Sequence, residues 1–377
     1  MTRAASAIVG IGHTRYGRLP EFDAYELGLW ALKEALADAG LAFKDIDGLI
    51  VNRIPDYQRF CEIAGIDPDY VNITPGQGRF SGIDIETAAA LINVGLATTI
   101  ALVYGNNGRS VGDRYGGAND TYGSGGAGNW SPYGMTSPGA FHALMARRHM
   151  EMYGTTHDQL GTVSKTFRDH AAFNPAAVMR TPFTLAEYHD SRWICEPLHL
   201  LDYCLINDGG VALILTSAER ARDLKQAPVY VRGYGMATTL AGSMFPPDDF
   251  WRGAMRKASA KAFGMAGVTP ADISTLMIYD NFTPTVLFSL EGHGYCGEGE
   301  SGAFVADGHL ALGGRYPANT SGGHLSESYM QGWALNLEAV QQVRGRCGER
   351  QVKNCEFAHY MAAAPVVTSI IYGKEPS

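Results

Sequence analysis

The same pattern of residues occurs twice in this chain, more than two hundred positions apart. Residues 31–51 (ALKEALADAGLAFKDIDGLIV) and 258–278 (ASAKAFGMAGVTPADISTLMI) each predict an amphipathic helix, a glycine that ends it, and an apolar strand after a short acidic loop. Gly40 ends the first helix and Gly267 ends the second. A repeat of this length indicates a duplicated βα domain, because solenoid repeats recur at periods of about 20–50 residues.

The similarity of the two copies continues along the chain. Each copy is followed by a glycine-bearing turn that leads into a helix, at residues 74–95 in the first and 319–340 in the second. Each half then closes with an apolar strand, at residues 209–216 and 364–373. Strands that alternate with helices in this way predict an α/β protein with a parallel or mixed sheet covered by helices.

The first half is longer because it contains an insertion. We predict a loop-and-helix insertion at residues 106–204, within an N-terminal half of residues 1–224. The C-terminal half is then residues 225–377. The insertion begins with a glycine-rich stretch, residues 105–139, that holds more aromatic residues than a plain linker needs. We therefore expect this stretch to become ordered on a second protein.

The composition excludes several classes of function. The formal net charge of −8 argues against a nucleic-acid surface, which requires a basic face. No segment reaches the roughly 18 consecutive apolar residues of a membrane helix, and the opening segment lacks the pattern of a signal peptide. We expect a cytoplasmic protein with no membrane span and no nucleic-acid partner.

The cysteines do not suggest a metal or disulfide framework. No two of them form a Cys-x-x-Cys pair, so zinc binding is not favoured and we expect no metal site. Scattered buried thiols are the simpler interpretation. The six cysteines are Cys61, Cys195, Cys204, Cys296, Cys347 and Cys355.

The arrangement of these parts resembles the thiolase superfamily over essentially the whole chain. The resemblance rests on the duplicated halves, the insertion in the first half, and the segments INDGGVALILT and AGVTPADI. It implies a five-layered αβαβα fold, and it implies a homodimer.

The thiolase nucleophile has no counterpart in this sequence. In thiolases it is a cysteine in a Cys-x-x-Gly context at the start of the first-half helix, where a helix N-terminus activates the thiol. The matching segment here is GRFSG, in which Arg79 has the position of the cysteine and Gly82 has the position of the motif's glycine. An arginine cannot attack an acyl group, so the resemblance predicts that covalent acyl transfer is lost.

In two further thiolase motifs, a tyrosine replaces the family's asparagine or histidine. The Asn-Glu-Ala-Phe motif falls on YDNF, so Tyr279 replaces its asparagine. The glycine-rich turn NTSGGHLSESYMQG places Tyr329 at the family histidine, whereas His324 is not that histidine. The last motif, Cys-x-Gly, falls near NCEFAHY, where Cys355 matches the cysteine and Phe357 replaces the glycine.

These substitutions together resemble a narrower group, the thiolase-like aldolases that shorten steroid side chains and are similar to lipid-transfer proteins. The resemblance implies retro-aldol cleavage of a β-hydroxyacyl-CoA into a ketone and a short acyl-CoA. It implies no permanently bound cofactor, with coenzyme A present only as part of the substrate. It also implies a small partner protein with an OB fold and a zinc ribbon.

The resemblance makes Tyr329 and Tyr279 the predicted catalytic residues. A tyrosine, with an ordinary pKa near 10, can act as acid or base when its environment tunes it. Two other functions stay open: a thiolase-type acyltransferase or thiolytic subunit of a two-component complex, and a non-catalytic acyl-CoA- or lipid-binding protein. Predicted pocket residues are His324, His359, Asp280, Arg79 and Cys355.

Overall fold

The computed structural model describes residues 6–112, 137–243 and 245–376. The glycine-rich stretch at 105–139, for which we predict ordering on a partner, lies mostly outside the described residues. The described strands are β1 (Ser6–His13), β2 (Gly48–Asn52), β3 (Tyr70–Thr74), β4 (Thr99–Asn106), β5 (Trp193–Cys195), β6 (Leu198–His199), β7 (Gly209–Ser217), β8 (Val229–Thr238), β9 (Thr275–Ile278), β10 (Phe357–Ala362) and β11 (Val366–Gly373).

Helices alternate with these strands. The described helices are α1 (Ala24–Ala39), α2 (Tyr57–Ala64), α3 (Phe80–Val94), α4 (Gly108–Val111), α5 (Pro138–Tyr153), α6 (His157–Ala172), α7 (Leu185–Asp190), α8 (Ala218–Ala221), α9 (Arg252–Ala266), α10 (Thr283–Gly292), α11 (Ser301–Ala306), α12 (Gly323–Ser326) and α13 (Trp333–Arg344).

Nine of the described strands form one sheet made of two similar halves. The strand order is β3-β2-β4-β7-β1-β8-β11-β10-β9. Outward from the junction of β1 and β8, the strands β7, β4 and β2 of one half correspond to β11, β10 and β9 of the other. The bridge between Leu276 and Ala318 corresponds to the pairing of β2 with β3. Within the sheet, the described strands of the two halves meet where Ala7 and Ile8 pair with β8.

Helices cover and separate the two half-sheets. α1 packs on the outer face of the first half-sheet, and α9 packs on the outer face of the second. α3 and α13 lie between them, and their side chains share one hydrophobic cluster with strands of both halves. The order α1, half-sheet, α3 with α13, half-sheet, α9 confirms the predicted five-layered αβαβα arrangement.

The repeated sequence segments have the same local structure. Gly40 ends α1 and Gly267 ends α9, each in the left-handed conformation that glycine adopts without strain, with φ of 73° and 69°. In the loops that follow, the side chain of Asp45 accepts a hydrogen bond from the N–H group of Ala42, three residues earlier. Asp272 accepts the corresponding hydrogen bond from the N–H group of Thr269. The predicted duplication is therefore a duplication of structure.

The insertion contains α5, α6, α7 and the β5–β6 hairpin, and one buried carboxylate anchors it to the second half. Asp202 accepts hydrogen bonds from the hydroxyl groups of Tyr188 (2.9 Å) and Thr283 (2.5 Å). Burial raises the pKa of Asp202 to about 6. The chain then passes from α8 to β8 into the second half, and the domain limits of 1–224 and 225–377 stay a prediction.

Glycines on β1 and β8 allow the outer helices to lie directly on the sheet. A Cβ atom on Gly12 would lie 2.3 Å from the carbonyl oxygen of Ala31 in α1. A Cβ atom on Gly235 would lie 2.3 Å from the carbonyl oxygen of Ala258 in α9. Both contacts are with helix backbone, which cannot move aside as a flexible side chain can.

We predict that Gly235→Ala lowers the free energy of unfolding by about 3 kcal/mol, the upper range for an overpacked core. The matched control is Gly264→Ala on the exposed side of α9, where a Cβ atom meets nothing within 4 Å. This control should raise stability by up to about 1 kcal/mol, because alanine replaces glycine inside a helix. Urea denaturation of both variants measures the difference, and equal stabilities would contradict the close approach of α9 to β8.

Candidate active site

The N-termini of the two inner helices meet at the centre of the molecule. α3 begins after Arg79, and α13 begins after Gly332. A Cβ atom on Gly332 would lie 2.4 Å from both Ser81 Oγ and Tyr360 Oη, which shows how closely the two helix ends approach. Neither helix has an acidic residue in its first turn. The partial positive charges of both N-termini are therefore available to an anion in this region.

The two predicted catalytic tyrosines are in direct contact beside these helix ends. The hydroxyl groups of Tyr279 and Tyr329 are 2.9 Å apart and share a hydrogen bond. Both side chains are buried, with 6% and 8% of their surface exposed. A Cβ atom on Gly78 would lie 1.6 Å from Tyr279 Oη, so the phenol occupies space that only a glycine leaves open.

Backbone hydrogen bonds fix the position of each tyrosine. Tyr279 follows β9, and its N–H donates to the carbonyl oxygen of Met361 at the end of β10 (2.9 Å). The N–H of Tyr329 donates to Oδ1 of Asn207 (2.7 Å). Asn207 lies just before β7 in the segment INDGG. Its hydrogen bond to the backbone of Tyr329 could not be predicted from the sequence, because the two residues are far apart in the chain.

The side chain of Asn319 attaches the glycine-rich turn to β9. Its Oδ1 accepts from the N–H of Ile278 (2.7 Å), and its Nδ2 donates to the carbonyl oxygen of the same residue (2.8 Å). Asn319 has a φ of 45°, a conformation that asparagine tolerates better than most residues. The turn is therefore held in register with the strand that carries Tyr279.

Asp280 caps α12 and does not orient Tyr279. Its fully buried carboxylate accepts hydrogen bonds from the N–H groups of His324 (2.9 Å) and Leu325 (3.3 Å). A Cβ atom on Gly323 would lie 2.3 Å from Asp280 Oδ2, so a glycine is needed for this close contact. The carboxylate thereby joins the end of β9 to the turn that leads to Tyr329.

His324 forms one wall of the site, and its Nε2 accepts a hydrogen bond from the backbone. The N–H of Gly332 donates to His324 Nε2 (2.9 Å), so the ring proton lies on Nδ1. Nδ1 is 3.1 Å from Asp280 Oδ1. The ring also packs edge-on against Tyr279 and Tyr329, with centroids 4.6 and 5.2 Å apart. An imidazole whose Nε2 accepts from the backbone is not available as a base for substrate.

The structure places two predicted pocket residues away from the tyrosines. His359 faces the opposite side of β10 from Tyr360, where it contacts Tyr295 Oη (2.7 Å) and Ser369 Oγ (2.7 Å). Burial lowers its pKa well below the ordinary value. Cys355 precedes β10, at the end opposite to Tyr279, and burial raises its pKa to about 12.

The strand geometry explains both corrections. Successive side chains of a strand point to opposite faces, so only one of two neighbouring residues can reach the inner layer. The chain segment beside Tyr279 at the end of β10 is Met361–Ala363, which contains no cysteine. The structure therefore does not bring Cys355, the predicted match to the Cys-x-Gly motif, to the tyrosines.

The remaining predicted residue, Arg79, lies with the tyrosines. Its half-buried guanidinium donates to the side-chain oxygen of Gln77. Burial lowers the pKa of Arg79, and the nearby phenols of Tyr279 and Tyr329 raise it. The structure thus brings together Arg79, Tyr279, Asp280, His324 and Tyr329.

The insertion and the residue that directly follows it hold the glycine-rich turn from behind through contacts that the sequence does not reveal. Arg168 Nε donates to Ser326 Oγ (2.8 Å), and Leu205 N–H donates to the carbonyl oxygen of His324 (3.0 Å). Glu327 is buried and accepts from Asn174 Nδ2 (3.0 Å). Burial raises the pKa of Glu327 to about 8.

Among the residues that the structure describes, no group of three or more histidine, cysteine or acidic side chains is arranged to hold a metal ion. Within the same residues, no helix combines the length and the apolar character that crossing a membrane requires.

Comparisons with known proteins agree with this geometry. A family profile described as "Thiolase C-terminal domain-like" matches residues 241–371. A "Steroid side-chain-cleaving aldolase" of Thermomonospora curvata is 37% identical over 357 residues, which cover 90% of this chain and 90% of the relative. The chain belongs to the thiolase superfamily.

Two further relatives match over almost their full lengths. A "17-hydroxy-3-oxo-4-pregnene-20-carboxyl-CoA lyase" of Mycobacterium tuberculosis is 36% identical and covers 92% of this chain and 93% of the relative. The solved structure "Ltp2-ChsH2(DUF35) aldolase" superposes with a TM-score of 0.89 at 33% identity, over 98% of both chains. These findings confirm the predicted thiolase-like fold and the resemblance to thiolase-like aldolases.

We predict that Asp280→Asn lowers the free energy of unfolding by about 2–4 kcal/mol, because a buried amide group would face backbone donors. The matched control is Asp249→Asn before α9, where an exposed aspartate accepts from the N–H groups of Trp251 and Gly253. The control should cost about 1 kcal/mol or less, as for an exposed helix cap. Guanidinium denaturation compares the two, and an equal loss would show that burial of Asp280 is unimportant.

Proposed function

We propose that this protein is a carbon–carbon lyase that performs retro-aldol cleavage of a β-hydroxyacyl-CoA with a bulky, steroid-like side chain. The products are a ketone and a short acyl-CoA. The observation that carries the proposal is the contact between Tyr279 and Tyr329, 2.9 Å apart, at the N-termini of α3 and α13. Arg79 stands where a thiolase has its nucleophilic cysteine.

Retro-aldol chemistry requires no covalent acyl-enzyme. A base removes the proton of the β-hydroxyl group, the bond between Cα and Cβ breaks, and the electron pair passes to the thioester as an enolate. An acid then protonates the enolate carbon. A phenolate in such a hydrogen-bonded pair can take the hydroxyl proton, and the phenol formed can return a proton to carbon.

The helix ends supply the other requirement of this reaction. The enolate carries its negative charge mainly on the thioester oxygen, and preorganised N–H groups stabilise such charges. The N-termini of α3 and α13 converge beside the tyrosines and lack acidic residues in their first turns. They therefore favour an anion in the position that the thioester oxygen would occupy.

The relatives support a large acyl-CoA substrate. They are named as a steroid side-chain-cleaving aldolase and as a lyase of a pregnene carboxyl-CoA. We propose the same class of substrate for this chain, with coenzyme A entering as part of the substrate and no other cofactor taking part in the reaction.

The main alternative is a thiolase-type acyltransferase or thiolytic subunit, because the chain belongs to the thiolase superfamily. That reaction requires a cysteine nucleophile. Cys204, whose N–H donates to the carbonyl oxygen of Asn281 (3.0 Å), lies beside the catalytic turn. Its position precedes β7 and is not at a helix N-terminus, where a thiol would be activated. A non-catalytic acyl-CoA-binding protein is the second alternative.

We predict that Tyr329→Phe and Tyr279→Phe each reduce kcat/KM for cleavage by about 10²–10⁴-fold, the contribution of a general acid or base. Mass spectrometry of the products from a panel of β-hydroxyacyl-CoAs measures the reaction. Tyr295→Phe is the matched control, because Tyr295 is an equally buried phenol that contacts His359 on the other face of the sheet. This control should keep the wild-type rate.

Cys204→Ala separates the alternatives in the same assay. It should retain cleavage if the reaction is a retro-aldol step, and it should abolish turnover if Cys204 carries an acyl group. Saturable binding of the whole panel with no product from wild-type protein would instead favour the binding protein. Full activity of Tyr329→Phe would contradict the aldolase proposal.

We also propose that the protein works as a homodimer with a small OB-fold and zinc-ribbon partner. The solved structure "Ltp2-ChsH2(DUF35) aldolase" names a second component, ChsH2(DUF35), which supports a partner protein. For the homodimer, β3 lies at the edge of the sheet, and its Val71 and Ile73 side chains are 37% and 39% exposed. An edge strand with exposed apolar side chains is a surface on which another strand can pair.

The expected result is that the double substitution V71K/I73K converts a dimer into a monomer near 40.6 kDa, measured by light scattering. V94K/L96K is the matched control at the exposed end of α3, and it should leave the dimer intact. Wild-type protein that is already monomeric would refute the dimer. Full activity of the chain without any co-purifying partner would refute the second component.

A further inference from the structure

The guanidinium of Arg79 lies in the same corner of the site as the two catalytic phenols. Tyr279 Oη rests against the backbone of Gly78, the residue immediately before Arg79. The guanidinium also interacts electrostatically with both Tyr279 and Tyr329. An arginine is always protonated in proteins, so a fixed positive charge stands beside this pair.

This positive charge has no acidic partner in the described part of the chain. Its side-chain hydrogen bond goes to the neutral amide of Gln77, and its Nε is shielded from solvent without an acceptor. The first turn of α3 contains no acidic residue. A partly buried charge without a counter-ion is unfavourable, and a nearby anion relieves that cost.

The other groups around the phenols do not supply this anion. His324 faces both rings, and its Nε2 accepts from the N–H of Gly332, but an imidazole side chain supplies no negative charge. Asp280 lies behind His324, and its carboxylate already accepts from two backbone N–H groups. Tyr360 on β10 contacts Ser81 Oγ (2.8 Å), and burial keeps it protonated by raising its pKa. The groups that can become negative next to Arg79 are therefore Tyr279 and Tyr329.

We propose that Arg79 is a positioning residue that acts through the Tyr279–Tyr329 pair, because its charge keeps the pair with one proton fewer than two neutral phenols carry. The pair then shares a single proton between two oxygens 2.9 Å apart. The inference rests on the proposed aldolase function, since it explains how two groups with an ordinary pKa near 10 supply a base near neutral pH. It also gives a reason for an arginine in the position of the thiolase nucleophile.

With this arrangement, the pair takes up one proton and gives up one proton in each reaction cycle. The phenolate takes the proton of the β-hydroxyl group, and the bond between Cα and Cβ breaks to give the ketone and the thioester enolate. The pair, now with two protons, donates one to the enolate carbon. The guanidinium then faces a phenolate again, so no oxidant, reductant or further reactant is required.

The test measures the ionisation of the tyrosines without substrate. We incorporate 3-fluorotyrosine and follow its ¹⁹F resonances through a pH titration, with Tyr279→Phe and Tyr329→Phe to assign the pair. Arg79→Met should raise the midpoint of the pair by about 1–2 pH units, the effect expected from removing a charge at this range. Arg79→Lys, which keeps the charge, should restore most of the midpoint.

The acidic limb of the kcat/KM profile for cleavage should move upward by the same amount in Arg79→Met. The matched control is Arg59→Met, because Arg59 also lies over a tyrosine ring, that of Tyr25 at 4.9 Å, but on α2. This control should change neither the midpoint nor the pH profile. A merely structural function of Arg79 would lower activity at all pH values without moving either midpoint.

The outcomes distinguish this inference from the proposed function. Cleavage by wild-type protein with an unchanged titration in Arg79→Met overturns the inference and leaves the aldolase in place. A shifted titration in a protein that cleaves no member of the panel supports the electrostatic coupling and overturns the aldolase. Circular dichroism and thermal unfolding establish that each variant is folded, and Arg79→Lys provides the same comparison if Arg79→Met does not fold.

Discussion

The buried carboxylate of Asp280 connects the parts on which the site depends. It follows Tyr279 directly, it caps the short helix α12, and it lies against Nδ1 of His324. Through Nε2 of His324 the connection continues to the N–H of Gly332, at the start of α13. One buried carboxyl group thus fixes a strand end, a turn and a helix N-terminus relative to each other, and the phenols of Tyr279 and Tyr329 are both attached to this unit.

Much of the fold could be predicted from the sequence because its strongest signals are local. A glycine that ends a helix, followed by an acidic loop and an apolar strand, has the same meaning at Gly40 and at Gly267, and the structure repeats accordingly. Counting from the glycines of the turn also predicts Tyr329 at the family histidine position, since spacing within a turn does not depend on distant parts of the chain. The contact of Tyr329 with Tyr279 agrees with that count.

Other features could not be predicted because they depend on orientation or on distant contacts. His359 and Tyr360 are adjacent in β10, so their side chains point to opposite faces of the sheet. Only the three-dimensional structure shows that Tyr360 is the one that faces the inner helices. Cys355, the predicted match to the last motif, lies at the end of that strand opposite to Tyr279. Asn207 is separated from Tyr329 by more than a hundred residues, so no spacing could reveal that its side chain holds the tyrosine backbone.

The lack of a side chain at Gly78 has a consequence for how such a site can arise by mutation. The phenol of Tyr279 occupies the volume that a side chain at position 78 would need. A tyrosine at 279 therefore takes this orientation when residue 78 is a glycine, because any side chain at 78 would displace the phenol. The order of genetic changes that avoids the overlap is glycine at 78 first and the tyrosine second. The same order constrains any attempt to build this chemistry into another member of the superfamily by directed evolution.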